Sequence, residues 1–176
     1  MPKERDITLK ALQTALKMEI DGKKFYLKAS QNSKNQLGKQ LLKKLAAEED
    51  EHRVVFQNIF DAIKARKGWP DVKYIGDGGR GLRTIFAKAL ESMDKDTKSI
   101  TAELDAVKIG MDLENKTYDF YTKRSAKSTF EAEKQLYEAI AIQESEHHRV
   151  LQDYYEFLQD PAQWYVKTEH TAVDGG

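Results

Sequence analysis

Glu49 and His52 stand three residues apart, and so do Glu144 and His147. On a helix that separation puts a carboxylate and an imidazole on one face, a turn apart. Both groups are metal ligands, but one such pair means little in a chain of which 33% is charged. The second pair changes its weight. Glu49 and Glu144 are 95 residues apart, as are His52 and His147, and the same interval relates Glu19 to Glu114, Tyr26 to Tyr121, Ser33 to Ser128 and Gln36 to Glu131. The chain therefore reads as two copies of one helical hairpin.

In an antiparallel four-helix arrangement with a pseudo-twofold axis, the repeat gathers Glu19, Glu49, His52, Glu114, Glu144 and His147 around one point in the core. Burying four carboxylates without partners costs several kcal/mol for each ion, so positive charge must sit among them. Carboxylates mixed with imidazoles suit iron or manganese better than calcium or zinc. Two divalent ions neutralise the cluster, and so do two ferric ions with one oxide bridge. Such a site changes redox state without leaving net charge buried.

Tyr26 and Tyr121 follow Glu19 and Glu114 by seven residues, about two turns, on the same faces. They are expected to donate a hydrogen bond to a ligating carboxylate of a facing helix. Glu48, Glu51 and Glu146 crowd the motif but fall off the inner face, which predicts surface ion pairs. His148 points about 100° away from His147 and reads as surface. Lys23 stands where the other repeat has Tyr118, and either covers the site or reaches solvent.

The elements that must position these residues are helical. Apolar residues at Leu9, Leu12, Leu16 and Tyr26 predict a helix over about Ile7–Ala29, interrupted on its inner stripe by Glu19. A second runs from Ser33, paired with Gln36 as a capping box, to about Arg66, with Leu45, Glu49, His52, Phe56, Ile59 and Ile63 on one face. Gly68, Pro70, Gly76, Gly78 and Gly79 break the pattern over Lys67–Arg80. Leu82, Ile85, Phe86, Ala89 and Leu90 then predict a short helix inside the crossover, with a turn over Asp94–Ser99. A third long helix covers about Ser99–Ala126, with Leu104, Val107, Met111, Tyr118 and Tyr121 on its stripe, interrupted by Glu114. A fourth follows the Ser128/Glu131 capping box, carries Ile140, Glu144, His147, Leu151, Tyr154 and Leu158, and ends at Asp160-Pro161. Residues 1–160 thus read as one bundle of two hairpins, about 7–66 and 99–158, and 161–176 as an extended tail anchored by Trp164.

Composition agrees with this all-α reading and narrows the chemistry. Only three of 176 residues are Pro. Lys and Arg balance Asp and Glu at 29 each, which argues against nucleic acid or an anionic membrane as partner. The absence of cysteine excludes disulfides, thiolate zinc sites, iron–sulfur clusters and a catalytic thiol. The N-terminus lacks the apolar core of a signal peptide and no apolar run approaches the ~20 residues of a membrane span, so a cytoplasmic protein is expected.

The six residues resemble the ligand set of the ferritin-like di-iron proteins, and within them the rubrerythrins: a Glu from each of two helices and a Glu-x-x-His from each of the other two. The resemblance covers about Ile7–Leu158. It implies a ferritin-like four-helix bundle holding two iron ions, with manganese or zinc able to substitute, and reduction of hydrogen peroxide in oxidative-stress defence. It further implies that Glu19 and Glu114 bridge the metals, that Glu49 and Glu144 are terminal, and that His52 and His147 each ligate one metal. Rubrerythrins carry an additional Glu one turn after the third helix's ligand, which exchanges with a His as the irons change oxidation state; here that position is Thr117. They also commonly carry a Cys-rich rubredoxin domain, so electrons are expected from a separate rubredoxin-like donor. The set is similar to the ferroxidase site of bacterioferritin as well, although Asp50 and Glu51 stand where the haem-ligating Met would be. A ferroxidase or iron-storage protein acting on dioxygen, and a metal-stabilised bundle without turnover, are the alternatives. A homodimer is expected, with hairpins able to exchange between chains across the long crossover. The tail, with Glu169, His170 and Asp174, is similar to the ends of single-domain rubrerythrin-like proteins and reads as a polar arm.

Overall fold

In the computed structural model, which describes residues 3–92, 101–164 and 166–167, the chain folds into four long helices and a short one. These are α1 (Glu4–Asn32), α2 (Gln36–Lys64), α3 (Arg80–Ser92), α4 (Thr101–Lys127) and α5 (Glu131–Gln159). The α1–α2 and α4–α5 hairpins are the two repeats, and α3 packs over α2 and α5 from within the crossover. The architecture is the all-α bundle expected from the apolar spacing. The expected turn over Asp94–Ser99, the side chains of Ala89 and Tyr165, and Glu169, His170 and Asp174 lie outside the described residues. Among the described residues no helix is long and apolar enough to cross a membrane.

Two helix starts differ from expectation. Asn35, not Ser33, caps α2: its side chain accepts from the Gly38 amide at 2.6 Å. Ser33 instead ends α1, and its hydroxyl donates to the buried Glu103 carboxylate of α4. Ser128 likewise bonds backwards, to the Arg124 carbonyl at 2.9 Å, and leaves Phe130 at the start of α5 with no side-chain cap. Ser33 closes α1 through its backbone amide, which donates to the Ala29 carbonyl, and Ser128 closes α4 through its hydroxyl, because carbonyls left free at a helix end take either donor.

The core is divided along the bundle axis. At one end Leu37, Leu41, Leu45, Val107, Leu151, Tyr154 and Phe157 pack together with Leu82 and Phe86 of α3. At the other, Leu12, Ala15, Phe56, Ile59, Tyr121, Leu136, Tyr137 and Ile140 form a second apolar cluster. Between these plugs every long helix carries buried acid: Glu19, Glu49, Glu114 and Glu144.

Beyond Asp160 the chain turns and resumes helix over residues 161–164, rather than leaving as an extended arm. Pro161 cannot donate to α5, but it suits the first position of a new turn, which the Asp160 side chain caps through the Gln163 amide at 3.0 Å. Trp164 is the anchor expected of it, edge-on to Phe86 at 5.4 Å and to Phe157 at 6.0 Å between ring centres.

Candidate metal centre

The heptad-like stripes that bury Leu12 and Leu16 on α1 and Val107 on α4 carry Glu19 and Glu114 inward with them, because each acid keeps the helical spacing of its apolar neighbours. On α2 and α5 the same logic turns Glu49, His52, Glu144 and His147 into the gap between the plugs. All six residues expected there are buried, and His52, His147, Glu19 and Glu144 have no exposed surface.

They form two groups of four, each with ligand atoms mutually within 4.8 Å: Glu19, Glu49, His52 and Glu144, and Glu49, Glu114, Glu144 and His147. Each hairpin contributes three members to its own group and receives one from the other. Glu49 and Glu144, not Glu19 and Glu114, belong to both groups. The reason is position. Glu144 Oε1 lies 3.0 Å from His52 Nδ1 while its Oε2 lies 3.7 Å from His147 Nδ1, so this carboxylate spans the axis. Glu19 and Glu114 sit at the margins, each held by a phenol.

Those phenols are Tyr121, which donates to Glu19, and Tyr26, which donates to Glu114, each crossing to the other hairpin as expected. Burial, and then the adjacent Glu19 or Glu114 charge, pushes both phenols far above their usual range, so they stay protonated donors.

The imidazoles lie nearly parallel, 5.8 Å apart, with both Nδ1 atoms toward the carboxylates. Their outer nitrogens meet different partners. His52 Nε2 lies 2.8 Å from the Tyr74 hydroxyl, and His147 Nε2 lies 2.8 Å from Glu48 Oε2. Glu48 was expected on the surface with an ion pair. It has that pair, with Lys44 at 3.2 Å, yet its carboxylate is buried beneath His147 and also accepts from Gln143 at 2.9 Å. Glu146, by contrast, pairs with Arg83 at 2.9 Å as a surface acid should, and Glu51 is exposed. Lys23 turns away to Asp50 at 3.0 Å, and half-buried His148 belongs to neither group. Thr117 is buried, but its hydroxyl donates to the Leu113 carbonyl at 2.8 Å and so serves its own helix.

Sequence reasoning missed Tyr74 and Gly22. Tyr74 sits in an aperiodic loop, where spacing carries no signal. Gly22 is the repeat counterpart of Thr117, and a Cβ there would stand 2.9 Å from Glu49 Oε2, so any other residue requires that carboxylate to shift.

The charges are unbalanced without cations. Burial, then the Glu19 and Glu114 charges, raises Glu49 well above the usual carboxylate range; burial, then Glu49 and Glu114, does the same to Glu144. Burial opposes ionisation of Glu114 too, but the His147 charge and hydrogen bonds outweigh it and hold that carboxyl low. His147 is pushed up well above the usual imidazole range, because the Glu114 charge and its carboxylate contacts outweigh burial. Glu48 is held low by His147 and Gln143 despite burial. Glu49 Oε1, both Glu144 oxygens and His147 Nδ1 are buried with no hydrogen-bond partner. Orphaned acceptors facing one another are costly in a closed protein and are satisfied by metal ions, so the residues present fit a pair of them.

Comparison with curated proteins and with solved structures gave no significant match. A family model described as rubrerythrin matches residues 10–155, which takes in most of α1 and α5, the whole span of α2 and α4, and all six residues of the cluster. The chain belongs to the rubrerythrin family, with a ferritin-like bundle and a buried carboxylate–histidine cluster able to hold metal.

Proposed function

We propose that the chain is a non-haem di-iron protein that reduces hydrogen peroxide to water with electrons from a separate donor. The observation that carries this reading is the pair of four-residue groups joined through Glu49 and Glu144, buried and left with orphaned ligand atoms. Two iron ions bound there would supply one electron each, so that one hydrogen peroxide, two electrons and two protons become two waters.

The chain's own part is to bind, orient and seclude. Glu19, Glu49, His52, Glu114, Glu144 and His147 would hold the metals, with Glu49 and Glu144 in both groups of four. Tyr121 and Tyr26 fix the outer carboxylates, and Tyr74 and Glu48 fix the imidazole rings. The apolar plugs above and below keep bulk water from the cluster, which strengthens every charge interaction within it. These 176 residues contain no cysteine for a rubredoxin-type centre, and we read the electron source as a rubredoxin-like partner. We read the working state as a cytoplasmic homodimer.

Anaerobic loading with ferrous iron should bring about two ions per chain. Mixing the loaded protein separately with peroxide and with dioxygen, and following ferric absorbance, tests the reaction. A much faster response to peroxide is expected. A dominant reaction with dioxygen would instead indicate ferroxidase activity, and a large hollow particle in light scattering would indicate storage. Silence toward both would leave a metal-stabilised bundle without turnover.

A further inference from the structure

The two halves of the centre are built from one repeat, and they differ at the pair of positions next to the outer nitrogen of His147. Glu48 and Gln143 are repeat counterparts, 95 residues apart, and they bond to each other at 2.9 Å. An exact repeat would place the same side chain behind each imidazole. Here the acid of the pair lies behind His147, while the amide donates to that acid and does not back His52 at all. The outer nitrogen of His52 is met by a residue from outside the repeat, Tyr74 of the crossover.

The two backings are chemically unlike. An ionised carboxylate only accepts, so Glu48 requires a hydrogen on His147 Nε2, and Nδ1, which faces Glu49, Glu114 and Glu144, is the nitrogen left to meet a cation among them. It also places a negative charge behind the ring, which makes the imidazole a stronger donor to a cation. Gln143 and Lys44 hold that carboxylate from its other sides, so its orientation is set. A phenol, in contrast, both donates and accepts. Tyr74 leaves His52 free to carry its hydrogen on either nitrogen and places no charge behind the ring.

We propose that the two metal positions are unequal, and that the position served by Glu114 and His147 fills first, with Glu48 as its positioning residue. Tyr74 plays the weaker counterpart behind His52, so that a residue of the crossover loop backs the second position directly. The inference rests on the metal-centre reading above.

Titration of the metal-free full chain with ferrous iron under anaerobic conditions tests it, followed by calorimetry and by Mössbauer spectroscopy of iron-57. Two binding steps are expected, the first at least about tenfold tighter, with one quadrupole doublet up to one equivalent and a second doublet thereafter. Glu48→Gln keeps the shape and removes the charge, and should weaken the first step by about 10–100-fold while sparing the second. Tyr74→Phe should act on the second step alone. Two equal steps in the wild type, or a Glu48→Gln effect confined to the second, would overturn the inequality while leaving peroxide reduction standing. A chain that binds no ferrous iron would overturn both readings. Should Glu48→Gln fail to fold by circular dichroism, the wild-type steps and Tyr74→Phe still decide.

Discussion

At the scale of single residues, the centre depends on a hydrogen atom as much as on its ligands. Gly22 has no side chain where a methyl group would press on Glu49 Oε2. Gly22→Ala should weaken ferrous binding by roughly tenfold, a loss of about 1.4 kcal/mol spread over a shared ligand. The same change favours helix in α1 by about 1 kcal/mol, so the melting temperature of the metal-free protein should not fall. Loss of affinity without loss of apo stability, measured by calorimetry beside thermal melts, separates this steric role from a folding defect. Tyr121→Phe tests the opposite kind of contribution. It leaves Glu19 without its buried donor, and metal affinity should drop about tenfold or more in a chelator competition. The six clustered residues and both tyrosines were legible in the sequence because all lie on helices, where spacing fixes direction. Glu48 was misjudged for a related reason. It lies one position before Glu49 and looks outward on an isolated helix, but α5 approaches closely enough that His147 and Gln143 cover it.

At the scale of elements, the long helices follow from apolar periodicity, and their ends do not. Asn35 and Ser33 compete for one turn, and only the packed position of Glu103, which takes the serine hydroxyl, settles the matter. The short helix α3 depends on Asp77, whose two oxygens accept the Gly79 and Gly81 amides at 2.8 Å each. Burial works against its anion, yet those bonds and Gln143 hold the carboxyl below its usual range. Its folded pKa is therefore depressed, so its contribution is present above the unfolded pKa, near 3.9, and is lost as pH falls through the folded value. Asp77→Ala should cost about 1 kcal/mol in denaturant melts at pH 7, and the gap from wild type should close toward pH 3. Within α2, Phe56→Ala should cost about 3–5 kcal/mol, because the ring is fully enclosed by Tyr121 and Tyr137 of the second apolar plug.

At the scale of the whole molecule, the two plugs must hold together a layer that repels itself. Four carboxylates meet there with two imidazoles, and burial with mutual repulsion raises Glu49 and Glu144 above the usual carboxylate range. Metal loading should therefore raise stability substantially. At a free ion concentration a thousandfold above the dissociation constant, one site contributes about 4 kcal/mol, and chelation should lower the melting temperature accordingly. A melting temperature indifferent to chelator would count against the cluster as a metal centre.

The interval of 95 residues has one more consequence. Most proteins must be compared with a relative to learn what a substitution does, whereas this chain carries the comparison inside itself. Glu48 against Gln143, Gly22 against Thr117 and Lys23 against Tyr118 are in effect point variants of one ancestral position, sharing one solvent, one temperature and one molecule. Exchanging the members of a pair keeps composition and net charge constant while moving a single chemical difference across the axis. Each half thus serves as the other's control.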